Sequence, residues 1–179
     1  MSPVVIDTNV LLIANGSHQD VSPSCRAECI TRLLAHQKSG VVVIDDAFRI
    51  LKEYQHKTKP NQPKWVGDAF LKWLLQNAAN GKRVHRVAIT ETASDEFAEF
   101  PDPALQPQFD APDRKFAAVA NAHPDKPPVW QGADCKWLNW WPQLDAQGVK
   151  VEFLCPADVS RFYAAKFPAH SVPDFPPHA

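Results

Sequence analysis

Asp7, Glu53, Asp113 and Asp134 are the side chains of this 179-residue chain whose type and spacing can do chemistry together. Asp7 follows an apolar run in VVIDTNVLL, Glu53 lies in RILKEY, Asp113 stands in APDRKF and Asp134 closes VWQGAD. Three of the four stand just after an apolar run or at the opening of a helix, the edge at which an open α/β sheet gathers its ligand-binding groups. Like charges crowded there repel, and hard oxygen ligands suit Mg²⁺ or Mn²⁺. The chemistry this points to is metal-dependent phosphodiester hydrolysis. Thr8 and Asn9, short and polar, can hydrogen-bond Asp7 and the adjoining turn. Each acid also has an ordinary role in isolation. Asp7, Asp113 and Asp134 can cap a helix or sit in its first turn, and Glu53 can be a surface residue beside Lys52 and Lys57. Their concurrence on successive βα junctions is what favours a shared site. Asp45 and Asp46 end another strand, where the simpler role is a turn.

The elements that must position these acids are legible as alternating runs. Val4–Ile6 and Val41–Ile44 are β-branched runs that read as buried parallel strands. Between them Ser22 or Ser24 caps a helix with Cys25, Cys29, Ile30, Leu33 and Leu34 on its inner face, stopped by Gly40. AFRILKEYQHK has helical spacing and carries Glu53, ending before Pro60 and Pro63. WVGDAFLKWLLQN is a further amphipathic helix in which Trp65 reads as core, with base stacking as its alternative role. RVHRVAIT supplies a third strand, Val129–Gln131 a fourth and Val149–Leu154 a fifth. A helix through Phe116, Ala117, Val119 and Ala120 follows Asp110, and a short one carries Trp137, Trp140 and Trp141. Glu91 to Pro107, acidic and punctuated by proline, reads as a loop. The reading is an α/β fold with a parallel sheet of about five strands. One domain spans 1–160, and a Pro-rich tail spans 161–179 that is either loose or clasped to the surface.

Composition is that of a globular chain, 45% hydrophobic and 22% charged, which excludes wholesale disorder. Net charge is −1, yet the charge is segregated: from Arg49 to Arg86 there are nine Lys/Arg against two acids, and from Val87 onward thirteen Asp/Glu against seven Lys/Arg. A basic middle segment can lie along a phosphate backbone while acids elsewhere hold cations. The four cysteines (Cys25, Cys29, Cys135 and Cys155) show no paired metal-ligand spacing, so packing in a reducing cytosol is the expected state and the expected localisation is cytoplasmic. No apolar stretch is long enough for a bilayer span, so no membrane partner is expected.

Taken together, VVIDTNVLL, the glutamate of ILKEY, the aspartate of DRKFAAVA and the strand-end aspartate of VWQGAD resemble the acidic signature of the PIN-domain ribonucleases, over about Val4 to Pro156. That resemblance implies a three-layer α/β/α sandwich, one or two Mg²⁺ or Mn²⁺ ions, and endonucleolytic hydrolysis of RNA. It implies Asp7, Glu53, Asp113 and Asp134 as the metal-binding and catalytic set, with Thr8 and Asn9 in support. Lys57, Lys59 and Arg83 from the basic segment would then contact flanking phosphates, while His56 and His85 read as surface or packing residues, with proton donation as their alternative role. Such enzymes act as toxins held by an antitoxin, as defence nucleases or in RNA processing. A protein partner or a second copy would find interface material in exposed tryptophans around Trp137 to Trp141. The chain is longer than small members of the family and has Cys135 after its last acid. The rival reading is a catalytically silent PIN-like module that binds RNA or protein. A dehalogenase-like phosphatase is disfavoured because the residue two places after Asp7 is Asn9, not a second aspartate.

Overall fold

Continuous apolar runs become the strands of a parallel sheet because such strands are buried on both faces. The structure, a computed structural model, describes residues 2–177. Strand β1 (Pro3–Ile6) leads into helices α1 (Thr8–Ala14) and α2 (Pro23–Ser39). Strand β2 (Val41–Asp45) leads into α3 (Arg49–Lys57) and α4 (Val66–Asn77), and then β3 (Val84–Val87). After a small antiparallel hairpin, β4 (Glu91–Ala93) and β5 (Glu96–Phe97), come α5 (Arg114–Ala122), β6 (Val129–Gln131), α6 (Trp141–Ala146), β7 (Val151–Phe153) and α7 (Pro156–Lys166). The five long-range strands pair in parallel in the order β3-β2-β1-β6-β7. Helices α1, α2 and α4 pack on one another, α5 packs on β1, β2 and β6, and α6 packs on β7. Right-handed crossovers put the two groups on opposite faces, giving the α/β/α sandwich.

The chain leaves β1 toward β2 on one side and returns to β6 on the other, so the connections part between β1 and β6. That is the topological switch point, where a crevice opens at the carboxyl ends of the strands. Register sets what meets there: Ile6 stands opposite Trp130, and Asp7 N–H donates to Trp130 O at 3.1 Å. Asp7 and Gln131 are thereby brought side by side.

Several expectations need correction. The segment read as a loop from Glu91 holds the β4–β5 hairpin and a 3-10 turn at Gln106–Gln108. The boundary expected after residue 160 falls inside α7, and the tail begins at Phe167. That tail is clasped: Trp141 Nε1 donates to Asp174 O at 2.9 Å, and Phe175 meets Phe153 edge-on. Trp137 and Trp140 are buried against Phe109, not exposed, because the 3-10 turn at Cys135–Asn139 folds them inward. Conversely Trp65, read as core, is 46% exposed at the start of α4. Cys25 and Cys29 do face inward, but Cys25 is bonded to Cys155, tying α2 to the turn before α7. Cys29 and Cys135 remain free and buried. The sulfurs of Cys25, Cys29 and Cys155 all lie within 4.8 Å of one another. Among the described residues no helix is long and apolar enough to cross a membrane.

The disulfide has a direct check. Alkylation of the unfolded, unreduced chain followed by mass measurement is expected to modify two thiols rather than four. Because the bond closes a long loop, its reduction is expected to lower stability by about 2–4 kcal/mol in urea titrations. Four modified thiols without reductant would contradict the pairing.

Candidate functional site

At the switch point one cavity of about 530 Å³ is lined by Asp7, Glu53, Asp113 and Asp134 together. Thr8, Asn9, Lys57 and Lys166 share its walls. The four acids named from sequence therefore meet in one place, delivered by four different elements. Asp7 is the N-cap of α1 and accepts from Asn9 N–H at 3.0 Å. Glu53 comes from the second turn of α3. Asp113 ends a 3-10 turn and stands at the N-terminus of α5 without a side-chain capping bond. Asp134 follows β6 and accepts from Lys136 N–H at 3.1 Å, which starts the next 3-10 turn.

Bracing around Asp7 is dense. Gln131 Nε2 donates to Asp7 Oδ2 at 2.7 Å, Asn9 Nδ2 donates to Gln131 Oε1 at 2.7 Å, and Gly132 N–H donates to Asn9 Oδ1 at 2.8 Å. A side chain at Gly132 would place its Cβ 2.7 Å from Asn9 Oδ1, so this loop must carry glycine to close on Asn9. Glu53 is fixed in three ways. The Thr8 hydroxyl donates to it, Lys115 Nζ pairs with it at 2.9 Å, and the neighbouring Tyr54 hydroxyl donates to Ile6 O, pinning α3 to the end of β1. Gln131 and Lys115 were not singled out from sequence. Gln131 is fully buried at a strand end, where a lone amide in an apolar run was the available signal. Lys115 looked like one more helix-surface cation.

Asp45 and Asp46 do not join the site. Asp45 is fully buried and accepts from Arg49 N–H at 2.9 Å and Ile50 N–H at 3.0 Å, holding the first turn of α3. Asp46 is exposed. Arg83, expected on a phosphate, instead donates to Gly40 O at 3.0 Å and Gln37 O at 2.6 Å and lies over Trp73, serving the C-terminus of α2. Lys57 and Lys59 are exposed, with Lys57 on the cavity wall. His56 is exposed. His85 stacks on His123 with Nδ1 2.9 Å from its Nε2, a packing pair beside the amino end of β3.

Electrostatically the site is unfavourable to its own ionisation. Burial pushes the Asp7 carboxyl up to about 7, against the Asn9 N–H, with Asp134 and Glu53 adding to the rise. Burial, then the charges of Asp7, Asp134 and Asp110, push Asp113 up to about 9, opposed by Lys115. Asp134 is raised by burial, with Lys136 opposing. Buried oxygen donors of this kind could hold a hard divalent ion, whose charge would favour their ionised form. Among the described residues no three of these carboxylates place one oxygen each within 4.8 Å of one another. The arrangement thus fits an ion that keeps part of its water and takes one or two carboxylates directly, as Mg²⁺ does. Searches against protein-family models, curated proteins and solved structures found no match.

A carboxyl whose folded-state affinity for a proton exceeds its unfolded value of 3.8 costs stability as pH rises past that value toward the folded one. Asp113 shows this cleanly, since no hydrogen bond to its side chain is present. In EDTA, Asp113→Asn is expected to raise Tm by about 2–4 °C at pH 8 and to change it little at pH 4. Thermal denaturation at the two pH values checks this, and a loss of stability at pH 8 would contradict it.

Proposed function

We propose that this chain is a divalent-metal-dependent endoribonuclease of the PIN-like kind, hydrolysing RNA phosphodiester bonds. The observation that carries the reading is that Asp7, Glu53, Asp113 and Asp134, from four separate elements, line one cavity at the carboxyl edge of a parallel sheet. These four would hold Mg²⁺ or Mn²⁺. A bound ion would supply charge for a phosphate oxygen and a water ionised near neutral pH.

The protein's own groups do the positioning. The Asn9 N–H and Gln131, itself held by the Asn9 side chain, fix Asp7 on the cavity wall by a hydrogen bond to each carboxylate oxygen. Thr8 and Lys115 orient Glu53, and Lys115 balances its charge in a site of four carboxyl groups. Lys57 and Lys166 stand on the wall where a phosphate would enter, offsetting the repulsion between RNA and the acids.

A second reading, a silent RNA- or protein-binding module, draws support from the Lys115–Glu53 ion pair, which already satisfies one of the four acids. The two separate in one assay. With Mn²⁺ or Mg²⁺ the purified chain is expected to cleave RNA, and Asp7→Asn and Asp134→Asn are each expected to slow it about a hundredfold or more. Variants that cleave at the parental rate would place the activity elsewhere. RNA binding with no cleavage in either metal would favour the silent module.

A further inference from the structure

Beside the acidic cavity lies a second one of about 380 Å³, and Lys57 lines both. Its walls include Ser17, Lys59, Gln62, Lys64 and Trp65. The three lysines are exposed, and among the described residues none of their ammonium groups lies within 4 Å of a carboxylate. Trp65 is 46% exposed, an outlier in a fold that buries Trp130, Trp137 and Trp140. Lys64 Nζ and the Arg26 guanidinium lie 5.4 and 5.5 Å from its ring centroid. Cations around an exposed indole are the elements of a stacking platform for nucleobases.

The loop that presents these groups is tied down by one side chain. Asp68 is buried, and its carboxylate accepts from Lys59 N–H at 3.0 Å, Lys64 N–H at 3.3 Å and Trp65 N–H at 3.3 Å, together with Asn15 Nδ2 at 2.9 Å. Asn15 Oδ1 accepts from Asp68 N–H in return, at 3.1 Å. One buried carboxylate thus gathers three loop amides and fixes them to the C-cap of α1. The same helix carries Asp7 at its other end. With seven residues it sets a separation of about 10 Å between acids and loop. Gly67 permits this closeness, since a Cβ there would lie 2.4 Å from Leu11 O.

We propose that the Lys57–Lys59–Lys64–Trp65 groove is the track for a single strand of RNA whose scissile phosphate lies at the acidic cavity. Phosphates run along the lysines and one unstacked base lies on Trp65. The assignment rests on the hydrolytic reading for its substrate, and on the shared Lys57 wall and the positive, aromatic character of the groove for its path. A duplex would not serve, because its bases are already stacked on one another and cannot splay onto an indole.

The test is fluorescence anisotropy of labelled oligo(U)12 and of a 12-base-pair RNA duplex with the full chain in EDTA, where nothing is cleaved. Trp65→Ala is expected to weaken oligo(U)12 about tenfold and the duplex by less than twofold, while Trp65→Phe keeps most of the single-strand affinity. The Lys59→Ala/Lys64→Ala variant is expected to lower the salt-dependence slope by roughly 1.4. Melting temperatures of all variants verify folding. The proposal is overturned if Trp65→Ala and the double variant both bind oligo(U)12 within twofold of the parent. It is equally overturned if poly-glutamate displaces oligo(U)12 as well as unlabelled oligo(U)12 does, which would make the groove a seat for an acidic protein. Failure here leaves metal-dependent cleavage by the parent untouched. Absence of cleavage with binding intact would remove the hydrolytic reading and keep the groove.

Discussion

Burial of carboxylates at one edge of a parallel sheet, with the charges of neighbouring acids added for Asp7 and Asp113, is the constraint to which the residues around that edge respond. Four acids arrive at a shared cavity from four elements, and burial there raises the proton affinity of Asp7, Asp113 and Asp134. An edge that opposes its own charge fits the proposed cation site.

The surrounding residues make sense as responses to that constraint. A buried amide, Gln131, is hydrogen-bonded to both Asp7 and Asn9 so that neither can turn away. Lys115 neutralises Glu53 locally, and Tyr54 fixes the helix that bears it. Asp45, an acid of the same strand-end type, is spent wholly on the first turn of α3, which shows how the fold separates a structural carboxylate from the exposed-to-cavity ones. Helix α1 then ties the acids to the clamped lysine and tryptophan loop at its other end through Asn15 and Asp68.

Much of this was legible from residue order alone. Val4–Ile6 and Val41–Ile44 announced themselves as strands because buried parallel strands need no polar face, and an acid directly after such a run has few places to go but the sheet edge. What stayed hidden depended on partners distant in sequence. Cys25 finds Cys155 across 130 residues, a pairing that spacing cannot reveal. Arg83 looked like a phosphate ligand until its neighbours proved to be the carbonyls ending α2. The aromatic residues inverted: Trp137 and Trp140 turned inward onto Phe109, while Trp65 was left outside by the loop that Asp68 gathers. Glu91–Ala93 formed a hairpin despite its acidity, because the short β5 offered a partner that composition does not show. Helix α7 was lost among the late prolines, although Pro156 only occupies its first turn, where proline is tolerated.

The account stands on the cavity being a seat for a divalent cation. The most direct test is anomalous diffraction from crystals soaked in Mn²⁺ at pH 8. The account predicts a manganese peak within coordination distance of Asp7 and at least one of Glu53, Asp113 and Asp134, directly or through ordered water. A fully soaked crystal with no peak in that cavity would contradict it.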